Sequence, residues 1–131
     1  MKSVMLEATG AKTWALIFDK GDEPVAGLTA FAKTEKLGGA HFTAIGAFSE
    51  VTARDYKQIP LREQVEVLSH RGAPKVHAHV VVGRADGEAR GGHLLSARVW
   101  PTLELVLTES PRHLRKRHDP DTGLALIDVA A

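Results

Sequence analysis

The chain has 131 residues, of which 44% are hydrophobic, the size and composition of a single domain able to bury a core of its own. Its 17 Lys and Arg stand against 16 Asp and Glu, a formal charge of +1, so no long-range basic field recruits polyanions. It contains no cysteine, which excludes disulfides, thiolate metal sites and cysteine nucleophiles, and any metal must be held by imidazole, carboxylate or water.

From the start of the chain, Glu7, Lys12, Asp19 and Lys20 interrupt the apolar residues before a run of signal-peptide length builds up. No stretch approaches the roughly 20 apolar residues of a membrane span. A soluble, cytoplasmic protein is expected. Residues 2 to 7 and 13 to 19 are β-leaning runs around the turn-like ATGAK and predict an opening hairpin. Asp22 is positioned to cap a helix whose early Pro24 needs no donor partner. Val25, Leu28, Phe31 and Ala32 recur at helical spacing up to Leu37, and Gly38-Gly39 ends the pattern.

Strand-like segments follow: HFTAIGAFSEV (41 to 51), EQVEVLS (63 to 69), VHAHVVVG (76 to 83) and a long run from His93 to Thr108. That order predicts an α+β domain spanning 1–131, with a mainly antiparallel sheet packed on one principal helix. The Asp-Gly of RADG (84 to 87) predicts a tight hairpin turn, with strand 76–83 antiparallel to the segment beginning near Glu88. Pro101 inside the last run predicts an edge position or a bulge. The tail from Ser110 is polar and carries Arg112, Arg115, Lys116 and Arg117, which could touch phosphates. Without interleaved aromatics, the run is read as a solvated loop or helical turn.

The stretch VHAHVVVGRADGEARGGHLL (76 to 95) is the chemically informative one. Successive strand side chains alternate faces, so His77 and His79 share a face, roughly 6.6–6.8 Å apart along a regular strand. His93 sits nearly as far past the turn as His79 sits before it, so antiparallel pairing brings it opposite the pair. Gly91 and Gly92 supply the close approach that aims it. Three neutral histidines plus an open position form the donor set of catalytic zinc sites, and imidazole also suits nickel, copper and iron. The bland alternative is polar residues on the solvent face of a sheet. Glu104 points away from the apolar set Leu103, Leu105 and Leu107, which makes it a fourth ligand, a base beside the metal, or an exposed carboxylate. No GxSxG, P-loop, GxGxxG or HExxH occurs, so nucleophilic catalysis has no visible machinery.

The segments HFTAIGAFS, EQVEVLS, VHAHVVVGRADGEARGGHLL and VWPTLELVLTE together resemble the PPC domain, named for its occurrence in plants and prokaryotes, over about residues 3 to 128. The resemblance implies a mainly antiparallel sheet on a helix, assembled as a homotrimer. It also implies that His77, His79 and His93 match the positions at which some prokaryotic members hold a divalent metal, for which zinc is the expectation. In plant relatives the domain follows an AT-hook, and the family is therefore often described as DNA-binding. This sequence contains no Arg-Gly-Arg core, which argues against that mode of DNA contact. Two stretches, near 51–59 and 69–76, are shorter than in family members of this type, and His70 falls where an apolar residue is expected.

The leading expectation is thus a small trimeric binding or regulatory module with a three-histidine metal or ligand site and a protein partner. The alternative is a metal-dependent, hydrolase-like enzyme using the same histidines with Glu104 as base. Direct DNA contact through Arg112, Arg115, Lys116 and Arg117 is a third expectation.

Overall fold

The computed structural model describes the backbone of residues 1–55, 65–70, 73–111 and 115–128, with side chains at 1–54, 75–111, 117–124 and 126. Among the described residues, nine strands and one helix follow in the order β1 (Lys2–Glu7), β2 (Thr13–Asp19), α1 (Pro24–Thr34), β3 (Gly39–Asp55), β4 (Val65–His70), β5 (Ala73–His77), β6 (His79–Gly83), β7 (Ala89–Glu109), β8 (Arg115–His118) and β9 (Ala125–Asp128). The mainly antiparallel sheet with a single helix is the architecture the sequence predicts. β1 to β7 form one seven-stranded sheet, with the path β1-β2-β7-β3-β4-β5 and β6 joined to β7. Only Ala78 separates β5 from β6, yet β5 ends the path at β4 while β6 pairs with β7. The sheet must therefore curl until those two ends meet.

Alternation in β2 and in the second half of β7 makes the core. Trp14, Leu16 and Phe18 face one side together with Leu103, Leu105 and Leu107, and the helix covers them with Leu28, Phe31 and Ala32. Trp14 and Phe31 meet edge to face, with ring centroids 5.6 Å apart at 83°, the geometry favoured by opposed ring quadrupoles. Among the described residues, no helix covers the other face of these strands. Ile45 is 77% exposed there and Val106 46%, and the ladders place Glu104 between Ile17 and Ile45 and Val106 between Ala15 and Thr43.

Several expectations are corrected. The helix cap is Glu23, not Asp22: its carboxylate accepts from the amides of Val25 (3.2 Å) and Ala26 (2.7 Å), and also from Ala97 of β7 (3.2 Å). Asp22 instead accepts from the amide of Asp19, turning the chain into the helix. The helix ends at Thr34, before the glycine pair. Lys36 takes a left-handed φ of 54°, and Leu37 donates back to the carbonyl of Ala32 at 3.0 Å. This is the paired-hydrogen-bond stop usually built on glycine, held here by burying Leu37. The predicted single strand 76–83 is two strands broken at Ala78.

Pro101 lies within the central strand β7, at a cis bond after Trp100, where the β3 ladder shifts register between Gly46 and Phe48. The bulge is present, and the edge position is not. The tail expected as a loop or helical turn forms the β8–β9 hairpin, in which Asp119 accepts from the Thr122 hydroxyl at 2.6 Å across the turn. Arg112 lies outside the described residues, as do residues 56–59 of the shortened stretch near 51–59 and residues 71–72 of the one near 69–76. No helix among the described residues is long and apolar enough to cross a membrane.

Candidate metal centre

The site is built by two ladders that meet at one point. The turn 84–87 closes the β6–β7 hairpin through Arg84 N–H to the Glu88 carbonyl (2.8 Å), with Gly87 at φ 84°. From that turn, the register runs Gly83↔Ala89 to His79↔His93, so these two histidines are direct cross-strand partners. His77 belongs to the other ladder, paired with position 66 of β4. After it, the chain changes partners at Ala78, whose carbonyl accepts from Leu94 N–H at 2.8 Å.

Across that change of partner the rings of His77 and His79 meet edge to face. The ring centroids of His77 and His79 are 4.7 Å apart and their Nε2 atoms approach to 3.0 Å, and the ring centroids of His77 and His93 are 4.8 Å apart. All three rings are half-buried, and their candidate ligand nitrogens lie within 4.8 Å of one another. Two nitrogens each about 2.0–2.1 Å from one tetrahedral zinc stand roughly 3.3 Å apart, so the cluster needs only small adjustments to share an ion. With a proton in place of the ion, the 3.0 Å contact is a hydrogen bond between imidazoles. The donor set of three imidazoles therefore fits a borderline divalent metal.

Gly92 lets the pair lie close to β3. A Cβ there would stand 2.5 Å from the Arg54 carbonyl oxygen, a contact no side chain tolerates, so the expectation for the glycine pair holds at Gly92. His93 is flanked on both sides, by His79 on β6 and by Arg54 on β3. Partial burial, and then the fields of His79, Arg54 and Lys75, hold its imidazole below the usual pKa range. It is therefore neutral and ligand-ready at physiological pH.

The other expected residues sit elsewhere. Glu104 is exposed on the helix-free face and is not part of the histidine group. Arg115, Lys116 and Arg117 lie together on β8 in the separate two-stranded sheet, with Arg117 exposed. Sequence reasoning missed Arg54 and Lys75. Lys75 precedes His77 by two residues and so shares its face, which was legible, whereas Arg54 reaches the site only through the β3–β7 register.

An apolar cavity of about 350 Å³ opens beside the cluster, walled by the start of α1 together with β3, β5, β6 and β7, and His79 is part of its lining. Ala44 explains the space. It shares a ladder position with the buried Leu105, so its methyl faces inward, but it is too small to fill the gap and remains accessible.

Comparison with known proteins gives a concordant result. The model of the Plants and Prokaryotes Conserved (PCC) domain matches residues 5–111. The metal-containing protein of Archaeoglobus fulgidus shares the fold at a TM-score of 0.72 and 29% identity, covering 97% of this chain and 99% of that one. A candidate DNA-binding protein of Bacteroides thetaiotaomicron does so at 0.69 and 27%, covering 96% of each chain. The bifunctional protein GlmU of Synechococcus is 32% identical over 121 residues, 86% of this chain. The chain spans about a fifth of the length of the curated relatives it matches, 19% and 17% of them.

Proposed function

The chain belongs to the Plants and Prokaryotes Conserved domain family, and on that premise we propose that it is a self-associating binding or regulatory module whose three-histidine cluster holds a divalent metal, zinc by preference. The observation that carries this reading is the convergence of His77, His79 and His93 from two separate ladders onto one point. Isolated polar residues on a sheet surface have no reason to converge. The description of the Archaeoglobus relative as metal-containing supports it.

In this reading, His77, His79 and His93 are the protein ligands, and the ion, when bound, supplies a Lewis-acidic centre with at least one position free for an outside ligand. His79 and His93 orient one another through the hairpin, and His77 is aimed by the break at Ala78. Arg54 and Lys75 add positive charge at the rim. Glu104 lies outside the group of three histidines, and the binding role is put ahead of the hydrolase-like alternative.

The same module is proposed to assemble as a homotrimer. The helix-free sheet face presents Val4, Ile45 and Val106 to solvent, an apolar surface of the kind that subunits bury against each other. Nucleic-acid contact is a second reading. It draws on the relative described as a candidate DNA-binding protein and on Arg115, Lys116 and Arg117 gathered in β8. It predicts binding that weakens steeply with salt and weakens further when Arg115 and Arg117 become Ala. The metal reading is tested by elemental analysis of the purified oligomer, against a His77→Ala/His93→Ala control.

A further inference from the structure

The cavity and the histidine cluster share His79, and the two have opposite chemical character. The cavity wall is formed by apolar groups such as Val25, Leu28, Phe42 and Leu94, and by the methyl of Ala44. The cluster side is polar and charged, with cations in excess. Arg54 stands directly across the ladder from His93, and directly opposed residues project from the same face. Lys75, two residues before His77 on β5, is exposed on that histidine's face. Glu66 of β4 is the ladder partner of His77, so a divalent ion held by the three imidazoles lies among Arg54, Lys75 and one acidic position, with cationic groups in excess.

A ligand that satisfies both surfaces has an anionic head and an apolar body. We propose that the site takes a small apolar carboxylate, with its head group at the histidine-bound metal, between Arg54 and Lys75, and its hydrocarbon body in the cavity beneath α1. This rests on the metal reading above and extends it to a ligand class. The cavity, about 350 Å³, is at the lower end of the range of small-molecule sites. That suits a body the size of one aromatic ring or a short aliphatic chain. A phosphate or acetate satisfies the head alone and leaves the apolar wall in water.

Zinc-loaded oligomer is titrated calorimetrically with 3-phenylpropionate, acetate and inorganic phosphate, and zinc content is measured on the same samples. The expected result is saturable binding of 3-phenylpropionate, tighter than acetate by on the order of a hundredfold, the contribution of burying one phenyl group. Arg54→Gln should weaken it roughly tenfold with zinc retained. Ala44→Trp, which fills the cavity from an accessible position, should abolish 3-phenylpropionate binding while sparing zinc and the weak binding of acetate. Protein that holds zinc but binds the three anions equally, or none of them, overturns the proposal and leaves the metal reading standing. Protein that binds 3-phenylpropionate with undiminished affinity after Ala44→Trp overturns the assignment of the cavity. Protein that takes up no zinc overturns the metal reading and this proposal together.

Discussion

His79 stands directly opposite His93 on the β6–β7 ladder, their ring centroids 6.0 Å apart, and the turn at 84–87 sets that register. Gly87 is the pivot, because its φ of 84° is a conformation other residues adopt at a cost. Gly87→Val should destabilise the fold by about 1–2 kcal/mol and weaken zinc binding, although it touches no histidine. Thermal unfolding and a zinc titration against a competing chelator check both effects. A variant that loses stability but keeps full zinc affinity would show that the hairpin does not hold the ligands in place.

Glu23 joins three backbone amides, two in the first turn of α1 and one in β7. Glu23→Ala removes the helix cap and the tie to Ala97, and should cost about 0.5–2 kcal/mol, the range for lost caps. Asp22→Ala, at the position the sequence favours as the cap, should spare the helix itself. Chemical denaturation of the two variants side by side ranks them.

The helix-free face supports a prediction about assembly. Ile45 is 77% exposed, and Glu104 is its cross-strand partner. Ile45→Glu places two like charges side by side on a face proposed to be buried between subunits. The variant should run as a monomer in light scattering coupled to size exclusion, where the proposed assembly predicts a trimer for the parent. An unchanged oligomer would place the contact elsewhere.

The lowered pKa of His93 fixes the sign of one pH effect. As pH falls, the unfolded chain takes up this proton before the folded chain does. Stability is therefore kept above the ordinary imidazole value and lost as pH drops towards the lowered folded value. Metal-free protein in chelator should show a melting temperature that falls through this window, with a shallower slope for His93→Gln. Equal slopes would mean that His93 does not contribute.

Much of this was legible in the sequence, and the misses share one cause. Strict alternation located β2 and the second half of β7, the Asp-Gly turn located the β6–β7 hairpin, and equal distances from that turn placed His93 opposite His79. Local pattern failed where long-range pairing decides. Residues 76–83 alternate like one strand, but the ladders to β4 and β7 claim different halves, and the break at Ala78 is invisible without them. Glu23 was overlooked because Asp is the stronger cap by propensity, whereas the choice here is stabilised by a third amide 74 residues away. Arg54 and the cavity left no local signal, since both arise from how β3 crosses β7.

The account rests on the histidine cluster being a metal site. Elemental mass spectrometry of the purified, untagged protein, with His77→Ala/His93→Ala as control, tests it most directly. The account predicts close to one divalent ion per chain, zinc foremost, lost in the folded double variant. Metal-free, folded parent protein that takes up no zinc on dialysis would contradict it, and would reduce the three histidines to a hydrogen-bonded patch between two ladders.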